Sequence, residues 1–233
     1  MNQHMPQHTM PDDHPSPFDD GQEDTLPAPL QEAAAARKRP KPGERRIQIL
    51  QALASMLEQP AGERITTAAL AARLEVSEAA LYRHFASKAQ MFEGLIEFIE
   101  QSVFTLSNQI VEREQGEDAD AGARQSARII AMLMQFAEKN PGMSRVMVGD
   151  ALVFENERLQ QRMNQFFDKI EATLKQCLRA GPAPASLTPT VDAQVRAAVL
   201  TAFLVGRLQR FVRSGFKRLP SEHLDASLAA MLG

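Results

Sequence analysis

A chain of 233 residues with 44% hydrophobic side chains can bury a sizeable core in one or two domains. No apolar run approaches the roughly 20 residues that a helix needs to span a bilayer, and the N-terminus lacks a signal-peptide core. We therefore expect a cytoplasmic protein with no membrane span. The single cysteine, Cys177, excludes an intrachain disulfide, and its helical setting predicts a small buried side chain rather than a redox switch.

The formal net charge of −3 conceals a strong asymmetry along the chain. Residues 1–36 contain seven acidic residues and no Lys or Arg, whereas residues 37–91 contain ten Lys or Arg and five acidic residues. Neutralisation of nucleic-acid phosphates releases counterions and requires such a local excess of positive charge. The acidic sum over the whole chain therefore does not argue against DNA binding.

Residues 1–43 are rich in Pro, Asp, His and Gln, and this composition predicts a disordered arm that cannot offset the entropy cost of folding. The arm ends in a basic cluster formed by Arg37, Lys38, Arg39 and Lys41. These side chains lie where they could follow a DNA backbone or enter a minor groove, and the alternative is a solubilising linker. The scattered histidines of the arm do not predict a metal site.

The first predicted helix covers about residues 44–58 and belongs to a three-helix domain over residues 44–91. Its apolar stripe is formed by Ile47, Leu50, Leu53, Ala54 and Leu57. Two short helices joined by a tight turn follow within residues 65–90. Thr66 or Thr67 can cap the first of them, and Ser77 can cap the second.

The two short helices divide their residues between a core side and an outward side. The core side of the first is formed by Leu70, Ala71 and Leu74, and that of the second by Ala80, Leu81 and Phe85. The outward residues of the second are Ser77, Ala79, Tyr82, Arg83 and His84. This outward set is short, polar and basic, which suits a helix that must enter a major groove about 12 Å wide.

The run Leu-Tyr-Arg-His-Phe at 81–85, followed by Ser-Lys at 87–88, resembles the DNA-binding domain of the TetR family. The resemblance implies a helix-turn-helix and a phosphate contact by Lys88. Together with the outward set, it nominates for DNA contact Thr66, Ser77, Glu78, Ala79, Tyr82, Arg83, His84 and Lys88. Glu75 stands in the turn where such motifs often carry Gly, and a positive φ there would cost on the order of 1 kcal/mol.

A capping-box pattern at Ser87 and Gln90 opens a long helix that runs to about Glu114. Its apolar stripe is formed by Phe92, Leu95, Ile96, Ile99, Val103, Leu106 and Ile110. Phe98 lies roughly 120° from the centre of this stripe at 100° per residue. It therefore either packs on a neighbouring domain or subunit, or is an exposed anchor for a protein partner.

Further helices are expected at about residues 124–139, 157–180 and 190–213, with a last one from Ser221. No alternating β-branched stretch is bounded like a strand, so we expect an all-α fold with a helical dimerisation and partner-binding domain over residues 92–233. Small and apolar residues at four-residue spacing are Val195, Ala198, Val199, Ala202, Phe203 and Gly206. They allow close helix approach within one subunit or between two. The TetR resemblance favours a homodimer on palindromic DNA.

Longer stretches, at 77–85, 91–100, 138–142 and 210–217, are similar to one branch of the TetR family, the nucleoid occlusion factors. This resemblance implies a protein that, bound to chromosomal sites, antagonises polymers of the tubulin-like division protein FtsZ and so keeps the division ring off the nucleoid. It nominates for contact with FtsZ Phe98, Met132, Lys139 and Asn140.

The alternative is a TetR-type transcriptional repressor controlled by a small-molecule effector. A pocket for the effector would be lined by Met132, Met134, Met143 and Met147, although methionines at such positions also simply fill a core. The sequence contains no Gly-rich phosphate loop, His-Glu-x-x-His, Cys-x-x-Cys or Gly-x-Ser-x-Gly motif. We therefore expect no enzymatic activity, no cofactor and no metal ion.

Overall fold

The computed structural model describes residues 43–59, 65–114, 116, 118, 120–179, 181 and 188–233. The predicted arm, with Arg37, Lys38, Arg39 and Lys41, lies outside these residues. The described part of the chain is helical and contains no strand, which confirms the all-α class. Its helices are α1 (Glu44–Leu57), α2 (Thr67–Arg73), α3 (Glu78–Tyr82), α4 (Lys88–Arg113), α5 (Ala121–Lys139), α6 (Pro141–Met147), α7 (Glu157–Leu178), α8 (Pro189–Arg213) and α9 (Leu224–Leu232), with a 3-10 turn at Asp150–Leu152 between α6 and α7.

Short polar side chains begin the helices of the N-terminal part at the predicted positions. Thr66 caps α2 by accepting the Ala69 N–H at 3.1 Å. Ser77 and Ser87 cap α3 and α4 in the same way. The side chain of Gln90 reaches back to the N–H of Ala86, one residue earlier than a standard capping box requires. These local bonds satisfy N–H groups that a helix end otherwise leaves without partners.

The turn between α2 and α3 contains a residue in the left-handed region. Glu75, which stands where such turns often carry glycine, has a φ of 53°. The positive φ considered from the sequence is therefore present. The Val76 N–H donates to the Ala71 carbonyl at 3.0 Å, which is the long bond of a Schellman motif with Glu75 as its left-handed residue. A non-glycine residue therefore stands at a position where glycine carries no steric cost.

The predictions that Ile47 and Leu106 belong to the buried apolar stripes of their helices are wrong. Ile47 is 56% exposed, and Ile49 is buried in its place, because α1 contacts α2, α4 and α6. Leu106 of α4 is also exposed, and the neighbouring Ser107 is buried. Periodicity predicts that a helix has one apolar face, but the exact centre of that face depends on the neighbouring helices.

Two predicted helix starts also differ from the observed ones. The helix expected at residue 190 begins at Pro189, with Thr188 as the capping residue, and Pro suits the first helical position. The last helix begins at Leu224 rather than at Ser221. Residues 221–223 form turns, and His223 has a φ of 54°, which keeps it outside the helix.

The core runs continuously from α1 to α9 and includes Cys177, whose thiol has its pKa raised by burial. Helix α6 joins the N-terminal helices to the rest. A Cβ on Gly142 would lie 2.0 Å from the Ala54 carbonyl oxygen, so the backbones of α6 and α1 are in direct contact. Arg145 of α6 donates to the carbonyls of Leu57 and Gln59 at 3.2 Å each. None of the described helices combines the length and apolarity that crossing a membrane requires.

Candidate nucleic-acid interface

The surface formed by α2, the turn and α3 carries the predicted DNA-contacting residues. The residues of this set that are exposed are Thr66, Ser77, Glu78, Ala79, Tyr82, Arg83 and His84. Buried Leu81 and Phe85 hold α3 on the core from below. Helix α3 has only five residues, so Arg83 is its C-cap and His84 follows it. These two side chains therefore extend from the end of the helix and not from its face.

A group of polar side chains ties the tip of α3 to the start of α2. The Thr67 hydroxyl donates to Glu78 Oε2 at 2.5 Å, and the Tyr82 hydroxyl lies 3.5 Å from Thr67 Oγ1. The carboxylate at this tip repels phosphates and accepts hydrogen bonds from amino groups such as that of cytosine in the major groove. The tip is therefore suited to base edges, and the basic residues at the other end of α3 are suited to the backbone.

Lys88, the predicted phosphate contact, has a partner within the chain. It is the first residue of α4, and its Nζ lies 2.5 Å from Glu155 Oε1, in the segment just before α7. The same ammonium is 5.7 Å from the centre of the Phe92 ring. The structure thus places Lys88 at the expected end of α4, but half-buried and paired with an acid from the C-terminal part of the chain.

Arg46 of α1 is a further cation at this surface that the sequence analysis did not single out. Its guanidinium carbon lies 4.1 Å from the centroid of the Phe85 ring, and its Nη1 donates to the His84 carbonyl at 3.1 Å. These contacts hold a positive charge beside the end of α3. The signal available in the sequence was the Arg45-Arg46 pair at the start of a helix within the basic segment.

Three of the four residues nominated for a protein partner lie on α4 and α5, and Asn140 directly follows α5. Phe98 is 41% exposed, so it is not a core residue of the protomer. Gln125 of α5 donates to the carbonyls of Val111 and Glu114, which ties the first turns of α5 to the end of α4. Lys139 is the last residue of α5.

The other two nominated residues are less accessible. Met132 is half-buried and packs against the core. Asn140 is also half-buried, and its side-chain amide donates to the Phe136 carbonyl at 2.8 Å. Lys139, the last residue of α5, is exposed. The structure therefore makes Phe98 and Lys139 the accessible members of this set.

The α8 face predicted to form a dimer is only partly covered within the protomer. Val195 and Val199 are 50% and 48% exposed. A Cβ on Gly206 would meet no atom within 4 Å. Ala202 is exposed, and Ala198 and Phe203 are half-buried. The opposite face of α8, which is formed by Ala193, Ala197, Leu200, Leu204 and Leu208, is fully buried.

Comparison with known proteins agrees with this architecture. The family profile described as "Bacterial regulatory proteins, tetR family" matches residues 49–95, and the profile described as "Tetracyclin repressor-like, C-terminal domain" (SlmA-like) matches residues 123–232. The nucleoid occlusion factor SlmA of Idiomarina loihiensis is 50% identical over 187 residues, which cover 80% of this chain and 93% of the relative. The SlmA of Marinomonas sp. is 51% identical over 182 residues, with 78% and 90% covered.

The chain belongs to the SlmA family of nucleoid occlusion factors. The predicted TetR-type DNA-binding architecture and the predicted functional class are both confirmed by these relatives. Solved structures similar to this SlmA-family chain include a transcriptional regulator FadR from Bacillus subtilis, with a TM-score of 0.61 and 13% identity, covering 80% of this chain and 97% of that one. NalD, a repressor from Pseudomonas aeruginosa, has a TM-score of 0.59 and 19% identity, with 81% and 94% covered. These similarities show the fold.

The methionines that an effector pocket would use lie mainly in the core of this SlmA-family chain. Met134, Met143 and Met147 are buried. Two cavities among the described residues lie elsewhere. One of about 190 Å³ lies next to Arg196, and an open one of about 390 Å³ lies next to Arg162. The methionines therefore act as core packing. Within the described ranges no cluster of His, Cys, Asp and Glu has the arrangement of a metal site.

Proposed function

We propose that this SlmA-family chain binds palindromic chromosomal DNA as a homodimer through α2 and α3, and that the DNA-bound dimer antagonises FtsZ polymers at the surface that contains Phe98. The observation that carries the proposal is the exposed polar surface of α2 and α3. Buried Leu81 and Phe85 anchor this surface on the hydrophobic core. The division ring would then be kept away from the nucleoid, where we expect the protein to be found. This function needs no catalysis, cofactor or metal.

The hydroxyl groups at the helix starts support contact with phosphates. Thr66 and Ser77 each accept a backbone N–H with the side-chain oxygen, and a hydroxyl that accepts in this way keeps its hydrogen for a second partner. Both are exposed, as are the cations Arg46 and Arg83 at the other end of α3. Hydroxyl and guanidinium donors of this kind fix the position of a protein on the DNA backbone.

The length of α3 supports a dimer. A helix of five residues reaches only a few base edges, which is too little for sequence specificity in a monomer. Two copies related by a two-fold axis would bind half-sites about 34–36 Å apart, which is one turn of DNA. The exposed valines of α8, Val195 and Val199, offer the apolar surface that a second copy would cover.

The partner surface is supported by Phe98 and Lys139. An exposed aromatic side chain on a rigid helix is the kind of residue that carries most of the binding energy of a protein interface. Lys139, the exposed last residue of α5, adds a positive charge for an acidic group of the partner. The acids Glu97 and Glu100 flank Phe98 in the sequence and give the surface polar edges.

Selection of bound duplexes from a random pool, followed by sedimentation of FtsZ polymers, tests this proposal. We expect palindromic sites, and loss of sedimenting FtsZ only when the protein and its selected duplex are both present. Arg83→Ala should weaken DNA binding, whereas Arg179→Ala, the same charge change at the far end of α7, should not. Equal sedimentation of FtsZ with and without the protein–DNA complex would overturn the FtsZ role. A single site at its own promoter would favour the repressor.

A further inference from the structure

We propose that Glu155 competes with DNA phosphate for the ammonium group of Lys88, so that a residue of the C-terminal part of the chain limits the affinity for DNA. This inference rests on the proposed DNA binding, and it adds Glu155 as a residue that weakens that binding. Engagement of DNA would open the contact between the start of α4 and the segment that leads into α7.

The pair is well defined in the structure. The two charged atoms are 2.5 Å apart, and the side chains of Lys88 and Glu155 are only 20% and 9% exposed. Lys88 is the residue after the Ser87 cap, at the end of α4 that directly follows α3 and its flanking basic residues. The lysine thus lies where a phosphate contact is expected, while its charge is already compensated from within the chain.

The acid cannot easily follow the lysine toward DNA. The backbone N–H of Glu155 donates to the Leu152 carbonyl at 3.0 Å. The next residue, Asn156, caps α7 by accepting the Arg158 N–H at 3.0 Å. Glu155 is therefore held between the 3-10 turn and a helix start, whereas Lys88 has a flexible four-carbon side chain.

A phosphate that approaches Lys88 consequently meets one of two situations. If the lysine keeps its contact with Glu155, two anions face each other across one ammonium, and they repel. If the lysine turns to the phosphate, the mostly buried carboxylate of Glu155 loses its partner. In both situations part of the favourable interaction with DNA is lost, so removal of the negative charge at residue 155 should strengthen binding.

Release of this pair would undo one tie between the N-terminal helices and the segment from α6 to α7. Another tie is Arg145, which contacts the end of α1 and also pairs with Asp150. That tie does not involve a predicted DNA contact and should persist. The segment beside Glu155 carries two strongly exposed apolar residues, Val153 and Phe154, so its position changes the protein surface near DNA.

The test measures affinity of Glu155→Gln, Lys88→Ala and the double variant for a selected duplex over a range of salt concentrations. We expect Glu155→Gln to bind the duplex about three- to tenfold more tightly. The slope of log affinity against log salt concentration should become steeper by up to about one unit. Lys88→Ala should bind more weakly. In the Lys88→Ala background the gain from Glu155→Gln should be clearly smaller, because only the direct repulsion between the carboxylate and the phosphate remains there.

The matched control is Glu114→Gln. Glu114 also forms an ion pair, with Arg128 at 2.6 Å, and it lies at the opposite end of the 26-residue helix α4, about 39 Å from Lys88 at 1.5 Å per residue. Its loss removes the same charge from the chain but should leave the affinity for DNA unchanged. Melting temperatures show whether each variant is folded, and Glu155→Asp, which keeps the charge but shortens the side chain, should give an intermediate affinity.

The outcomes separate the two proposals. An affinity of Glu155→Gln equal to that of wild type, or a gain of undiminished size when Lys88 is Ala, would overturn the competition. Binding of no selected duplex by the wild-type protein at low salt would instead overturn the proposed DNA binding.

Discussion

The surface of α2 and α3 and the exposed face of α8 are built in opposite ways. On α2 and α3, hydroxyl groups cap helices, Thr67 binds Glu78, and the exposed residues other than alanines are polar or charged. On the predicted dimer face of α8, the exposed residues are Val195, Val199 and Ala202. The first surface can stay in water until DNA arrives, because water can bind the polar groups that have no partner within the protomer. The second exposes apolar area, which a second copy of the chain would remove from water.

Because of this difference, we expect substitutions on the two surfaces to impair different properties of the protein. A change on α8 should act through the assembly of the dimer, and a change on α2 or α3 should act within one protomer. Each of the following variants is chosen to break or sharpen that separation.

Val199→Glu should have the largest effect, because it places a charge in the apolar α8 face. We expect the dimer to lose about 3 kcal/mol or more, since an unpaired buried charge is strongly unfavourable. Sedimentation equilibrium should then report a folded monomer. Thr190→Glu adds the same charge on the side of α8 about 180° away and should remain dimeric. A Val199→Glu protein that stays dimeric would show that this face is not the interface.

Phe98→Ala should cost about 2 kcal/mol in binding to FtsZ while the melting temperature stays nearly unchanged, because the ring is 41% exposed and lies outside the hydrophobic core. The matched variant is Ile99→Ala. Ile99 is fully buried, and its truncation should lower the free energy of unfolding by about 2–5 kcal/mol. Calorimetry of both variants and titration with FtsZ measure the two effects. A large drop in melting temperature for Phe98→Ala would contradict a role in partner binding.

Ser77→Ala and Ser77→Asp separate the two roles of this residue on the polar surface. Alanine removes the cap of α3 and should cost about 1 kcal/mol of stability as well as DNA affinity. Aspartate can also cap a helix, so stability should be kept while the added negative charge weakens DNA binding. Urea unfolding and operator titration distinguish them. If both variants bind DNA as wild type does, Ser77 only caps α3.

Glu75→Gly should give the smallest effect, a gain of up to about 1 kcal/mol in the free energy of unfolding. The reason is the positive φ of this residue, which glycine adopts without steric cost. Glu75→Ala removes the same charge but keeps the strain, so it should show no comparable gain. A stabilisation by alanine equal to that by glycine would assign the effect to charge.

The features predicted correctly from the sequence are mostly local. The cap by Ser77, and the cap by Thr66 as one of two candidates, depend on residues three positions apart, so the sequence nearby contains the needed information. The left-handed turn at Glu75 was open from the sequence, and the structure shows it. The class of fold followed from periodicity. The start of the last helix was misplaced because Ser221, which has the residue type of a cap, instead lies in the turns before α9 and donates its N–H to Glu138.

Long-range contacts could not be predicted. The pairing of Lys88 with Glu155 joins residues far apart in the chain, and no local pattern indicates it. The burial of Ile49 in place of Ile47 depends on the direction from which α4 and α6 approach α1. Arg46 was missed for the same reason, since its contact with the Phe85 ring exists only after α1 and α3 have packed together.

Gly142 determines a distance on DNA. Helix α6 lies against the backbone of α1, and Arg145 donates to the Leu57 carbonyl at the end of α1, so the two helices are in close contact at this junction. In the proposed dimer, this contact would link the α8 face to the α3 helices. Insertion of one base pair between the half-sites rotates one of them by about 34–36° relative to the other, at 10–10.5 base pairs per turn. A close contact between α1 and α6 would resist that rotation, so we expect the proposed dimer to prefer one spacing of its half-sites.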